Sequence, residues 1–229
     1  MFTVRCYNVC ILSIRIKKIC ELISPKYTII DIGCDHGLVS EFIVKNGLAT
    51  KLIACDVSIS SLNKAKTLLG PHLEKGAKDV AVEFMCCDGA DIVGIVPTNS
   101  LAIIAGLGGR EMLKIVRALR LGEFILAPQN CQKELRWGMY ELGYRASTDK
   151  TIKDKNKFYD VMLYGLEDKP AIKEPNLKEL LYGFDYKKSS SDLKARLELD
   201  KKQILSYNKL TDENSKKLKI IEEILQCQQ

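Results

Sequence analysis

Three aspartates stand at the ends of three successive apolar runs, and that placement constrains the fold more than any other feature of the chain. Tyr27-Thr28-Ile29-Ile30-Asp31-Ile32 ends at Gly33, Leu52-Ile53-Ala54-Cys55 runs into Asp56, and Val80 to Met85 leads to Asp88-Gly89. Each run is short; the first is apolar and β-branched, and the third alternates, as strands do. Between them the periodicity turns helical. Leu38, Phe42 and Ile43 share one face before Gly47, and Leu62, Ala65, Leu68 and Leu69 another, with Ser58 as a cap and Gly70-Pro71 as the expected break. Leu101 to Ala105 and Phe124 to Leu126 predict a fourth and a fifth strand, each followed by a helix, the first over Met112 to Leu119 and the second over 130–142. Strand-like stretches near 145–152 and 158–164 then follow each other directly. Strands alternating with helices build βαβ units, so the expected class is α/β, a doubly wound and mostly parallel sheet closed by an antiparallel strand at one edge. Ligands of such sheets bind at the carboxyl ends of the strands, where all three aspartates fall.

Two flanking segments complete the organisation. Leu12, Ile16, Ile19 and Ile23 recur at helical spacing with Arg15, Lys17 and Lys18 between them, which predicts an amphipathic helix packed on the sheet. After Gly165 the chain is dense in charge yet nearly neutral, so almost all of the net charge of +6 lies before it. Leu193, Leu197 and Ile204, then Leu218, Ile221 and Leu225, mark two stripes of coiled-coil spacing separated by a polar stretch. The expected domains are 1–166, the ligand-binding α/β unit with its N-terminal helix, and 167–229, an antiparallel helical hairpin attached through Pro170 and Pro175.

The hydrophobic fraction of 46% excludes a disordered chain. The apolar run at the N-terminus, Val9 to Leu12, is far too short to span a bilayer. Nine cysteines include no Cys-x-x-Cys, and only two histidines accompany them, so no metal site is expected. Cys34, Cys55 and Cys86 sit in or beside apolar runs, where a free thiol acts as a small hydrophobe; that usage suits a reducing, cytoplasmic setting.

The strand–helix turn Asp31-Ile32-Gly33-Cys34-Asp35-His36-Gly37 lacks the Gly-x-Gly-x-x-Gly spacing of a dinucleotide site. Carboxylates at Asp31 and Asp35 would repel a pyrophosphate but suit a ligand with a cationic amino-acid end, which favours S-adenosylmethionine over NAD. Asp56 is placed to hold ribose hydroxyls and Asp88, with Gly89, to accept from an adenine amino group. After the fourth strand, Ala105-Gly106-Leu107-Gly108-Gly109 has three glycines in four positions, expected only where backbone must bend or approach something closely.

These residues, with Pro128-Gln129-Asn130 and Lys157-Phe158-Tyr159-Asp160, resemble the bacterial tRNA (adenine-22, N1)-methyltransferase family over about residues 12–225. The resemblance implies a Rossmann-like class I methyltransferase domain with a C-terminal helical hairpin, S-adenosylmethionine as cofactor and tRNA as partner. It implies cofactor contacts from Asp31, Gly33, Asp35, His36, Asp56 and Asp88, with Gly106, Gly108 and Gly109 lining the transfer crevice. Cys34, Leu107 and Lys155 depart from the family, which usually has Ser, Met and an acidic residue at these positions. Adenine N1 has a lone pair and no proton, so alignment rather than acid–base chemistry should dominate. The amide of Gln129 or Asn130 is expected to receive the base, after local opening of the folded RNA. Candidate RNA contacts are Arg15, Lys17 and Lys18 on the first helix, Arg110, Lys114 and Arg117 on one face of the helix after the glycines, and Tyr159 as a stacking surface. The chain is expected to act as a monomer. The alternatives are a methyltransferase for another RNA or a small molecule, and a non-catalytic RNA-binding protein on the same fold.

Overall fold

The computed structural model describes residues 12–74, 80–167 and 173–227. One seven-stranded sheet runs β3-β2-β1-β4-β5-β7-β6. Its strands are β1 (Lys26–Ile32), β2 (Ala49–Asp56), β3 (Ala81–Cys86), β4 (Leu101–Ala105), β5 (Glu123–Ala127), β6 (Tyr144–Asp154) and β7 (Lys157–Leu166). The first five are parallel, and β7 runs antiparallel to both β5 and β6, one place in from the rim. The order of strands reverses between β1 and β4, which opens a crevice at their carboxyl ends.

Helices cover both faces, which is why the central strands are apolar throughout rather than alternating. On one face, α1 (Ile14–Cys20), α2 (Leu38–Asn46) and α3 (Ile59–Glu74) bring Ile19, Ile43 and Leu69 against Ile29, Leu52 and Ile103. On the other, α4 (Gly109–Leu119) and α5 (Gln132–Glu141) bury Met112, Val116, Leu135 and Met139 against Ile30, Ile104 and Leu126. The helix α1 has only seven residues, too few to persist alone. It is held by the buried Ile19 and Ile23, each worth about 1.5–3 kcal/mol of transfer free energy, and by Ser13, whose Oγ accepts from the Ile16 N–H. Ser58 caps α3 as expected, its Oγ accepting from the Ser61 N–H at 3.3 Å. The expected break at Gly70-Pro71 does not occur. Pro71 lies within α3, in a last turn anchored by His72 Nε2 at 3.0 Å from Glu41 Oε1 on α2.

The C-terminal segment forms α6 (Leu177–Tyr182), α7 (Ser191–Leu205) and α8 (Asp212–Cys227). The sequence pattern foresaw the last two; α6 is a single short element behind an Asn176–Glu179 capping box. In α8 the fully inward residues are Ile220, Ile221 and Ile224, with Leu218 and Leu225 at the margin, so the seam is shifted from the expected stripe. This segment also covers the outer strand. Asp185 Oδ2 accepts from the Asp149 N–H and Asp192 Oδ2 from the Lys153 N–H, which blunts an edge that would otherwise present free donors. Cys6, Cys10, the start of the apolar run at Val9, and Pro170 lie outside the described residues.

Candidate functional site

The β1–α2 turn supplies the first wall of the crevice. Asp31 is buried at the end of β1, and its Oδ2 accepts both the Ser40 N–H at 3.1 Å and the Ser40 Oγ–H at 2.6 Å. Burial pushes its carboxyl up to about 6, against the two Ser40 bonds that lower it, and the neighbouring Asp56 adds to the rise. Gly33 adopts φ +69°, and a Cβ built there would meet nothing within 4 Å. The backbone at this point therefore faces open space beside a buried carboxyl.

Asp56 ties this turn to the next strand. Its Oδ2 accepts from the Asp35 N–H at 3.1 Å and its Oδ1 from the Ser58 N–H at 2.8 Å. Asp35 and His36 are exposed at the rim, with His36 Nδ1 2.8 Å from Asp35 Oδ2. The register pairs Asp56 with Cys86, so Asp88 follows at the end of the neighbouring strand; its carboxylate is exposed, and Oδ1 accepts from the Ala90 N–H. Gly89 is buried against Ile32. The acids expected from the sequence thus stand at three adjacent strand ends.

The opposite wall is two loops closed on each other. Gly106 donates its N–H to Ala127 O, Gln129 to Leu107 O, and Gly109 to Asn130 O, at 2.9 to 3.1 Å. A Cβ on Gly109 would lie 2.6 Å from Cys131 O and 2.9 Å from Asn130 O. What the glycines let approach is the neighbouring Pro128–Cys131 loop. Pro128 is buried there, while Gln129 and Asn130 are exposed.

The candidate basic residues are scattered. Arg110 pairs with Glu134 at 3.6 Å and Lys114 with Glu111 at 2.8 Å, while Arg117 is exposed two turns further from the crevice. Lys18 pairs with Glu21, and Lys17 is exposed. Tyr159 is half-buried against the α1-side core, with the Arg15 guanidinium 5.1 Å above its ring. Among the described residues no group of three His, Cys, Asp or Glu side chains is placed to hold a metal, and no helix is long and apolar enough to cross a membrane. Seven described cysteines are free, and burial pushes the Cys20 and Cys55 thiols up to about 12.

One feature had no sequence signal. Arg136 on α5 has no solvent exposure; its Nε and Nη2 donate to Asp149 Oδ2 and Oδ1 at 2.7 and 2.8 Å, and Nη2 stands 3.0 Å from Asp160 Oδ2. Its Nη1 donates to Leu180 O on α6, and Arg196 on α7 reaches Asp160 and Thr151. Burial alone would raise the Asp160 carboxyl, but the two arginines outweigh it and hold it below the ordinary carboxylate range. An arginine in an amphipathic helix reads as surface, so only the fold reveals this fastening. A cavity of about 470 Å³ lies beside it, between α1, β6 and the 185–193 segment, away from the strand ends.

The comparisons with known proteins agree with this geometry. A family model described as a methyltransferase domain matches residues 12–162. A Mycoplasma pneumoniae protein provisionally named a tRNA methyltransferase is 29% identical over 154 residues, which are 65% of this chain and 68% of that one. Among solved structures, M. capricolum TrmK in complex with S-adenosyl-homocysteine aligns with a TM-score of 0.75 at 21% identity, over 94% of this chain and 96% of that one. The B. subtilis M1A22 tRNA methyltransferase TrmK aligns with a TM-score of 0.69 at 19% identity, over 95% and 97%. The fold likeness therefore includes the C-terminal helices. With the family model spanning the sheet and its crevice, the chain belongs to the methyltransferase-domain family.

Proposed function

We propose that the chain transfers a methyl group from S-adenosylmethionine to N1 of adenine 22 in tRNA. The observation that carries this reading is the trio of acids at adjacent strand ends around the open backbone at Gly33. It is supported by a fold shared with the B. subtilis enzyme named for that reaction, C-terminal helices included. Asp31, Gly33, Asp35 and His36 would hold the amino-acid end of the cofactor, Asp56 the ribose hydroxyls, and Asp88 with Gly89 the adenine.

The cofactor supplies a methyl group made electrophilic by its sulfonium sulfur. The target nitrogen brings its own lone pair and no proton, so the N1–carbon bond forms as the carbon–sulfur bond breaks and no side chain has to act as a base. The task of this chain is alignment. The loops that hold Gly106, Gly108, Gly109 and Pro128 form the far wall, and the exposed amides of Gln129 and Asn130 are the groups to orient the base. Residues 1–166 form the catalytic unit and 167–229 a helical support with its own core around Tyr182, Leu197 and Ile221. We take the chain to be a monomer and cytoplasmic; the free thiols among the described residues fit a reducing compartment. Calorimetric titration with S-adenosylmethionine tests the cofactor half: Asp88→Ala should bind at least ten-fold more weakly than the parent chain. A parent chain that fails to bind, or an Asp88→Ala variant with unchanged affinity, overturns that assignment.

A further inference from the structure

The β6–β7 hairpin is longer than the sheet it joins. Leu126 pairs with Met162, so the end of β5 at Ala127 is level with about Val161, and Lys157 lies four residues further out. At ~3.3 Å per residue the strands overhang by about 13 Å, on the crevice side of the sheet. The hairpin stands two strands from β4, roughly 10 Å across at ~4.8 Å per strand. The overhang ends in Lys153, Lys155 and Lys157, all exposed, and none of them forms an ion pair among the described residues. On the candidate surfaces Lys18, Arg110 and Lys114 are paired with carboxylates, whereas Lys17 and Arg117 are exposed.

The nearby carboxylates are engaged by backbone. Asp154 accepts from the Arg15 N–H, and Asp192 from the Lys153 N–H. Lys155 opens the two-residue turn at φ +55°, a conformation that favours Gly or Asn. An exposed row of three lysines suits an extended polyanion held by charge.

We propose that Lys153, Lys155 and Lys157 form a phosphate-contacting finger that grips the RNA backbone beside the methyl-transfer crevice. This rests on the reading of the substrate as tRNA. The test is the affinity of the full chain for an unmodified tRNA transcript across a salt series, for the parent and for a Lys153→Gln, Lys155→Gln, Lys157→Gln triple variant. The finger predicts at least ten-fold weaker binding at ~0.15 M salt and a salt slope smaller by about 2, with unchanged S-adenosylmethionine affinity and urea midpoint. Lys155→Gly separates charge from strain: its urea midpoint should rise while its RNA affinity falls. A triple variant that matches the parent in affinity and slope overturns the finger. A parent chain that binds no tRNA overturns the substrate reading itself.

Discussion

Arg136 and Asp149 meet in a bidentate pair at 2.7 and 2.8 Å with neither side chain exposed to solvent. The pair joins α5 to the outer strand β6, and through Leu180 O, Asp160 and Arg196 it fastens the C-terminal helices to the sheet. Removing one partner of a buried pair leaves an uncompensated charge, so Arg136→Met should lower the unfolding free energy by about 3–5 kcal/mol. Urea denaturation measures it; a loss below about 1 kcal/mol would mean that the fastening contributes little.

Asp31 should make the folded chain respond to acid in an unusual direction. Its carboxyl is raised by burial from 3.8 to about 6, so the folded state holds that proton more tightly than the unfolded state does. Above pH 6 the buried charge costs on the order of 3 kcal/mol, and the cost disappears as pH falls toward 3.8. Asp31→Asn keeps an oxygen for the Ser40 donors and removes the titration. Relative to that variant, the parent chain should gain stability between pH 7 and pH 4. Parallel pH profiles for the two proteins would contradict the buried, titrating carboxyl.

Gly33 and Gly109 predict opposite failures. A methyl at Gly33 points into empty space, so Gly33→Ala should lose only about 1–2 kcal/mol through its positive φ yet weaken S-adenosylmethionine binding at least ten-fold. At Gly109 the methyl meets two backbone oxygens within 3 Å, so Gly109→Ala should cost about 1–3 kcal/mol and disturb the wall itself. Melting curves and calorimetry on both variants separate the cases; a Gly33→Ala variant with unchanged S-adenosylmethionine affinity would refute the contrast.

What was readable in the sequence followed the physics of period and punctuation. The runs at Ile29, Ile53 and Ile103 could be placed because a strand buried on both faces is apolar along its whole length. Asp31, Asp56 and Asp88 could be grouped because parallel connections put successive strand ends on one side. The glycines after β4 were readable as a close approach, but their partner, the 128–131 loop, depends on tertiary placement. Pro71 did not end α3, although its ring gives up one helix hydrogen bond, and His72 holds that last turn to α2. Arg136, Asp149, Asp160 and Arg196 lie far apart in sequence and carry no local pattern, so their meeting was illegible. The lysine finger was hidden for a related reason: three alternating lysines read as a solvated strand until the register shows how far they overhang.

The central claim is methyl transfer to one nitrogen of one base. The direct measurement incubates the chain with S-adenosylmethionine and an unmodified tRNA transcript carrying adenine at position 22, then maps reverse-transcription stops. A methyl on N1 blocks the Watson–Crick edge. The account predicts a single new stop at adenine 22, dependent on the cofactor and lost in Asp88→Ala. No cofactor-dependent stop, or one at another base, would contradict it.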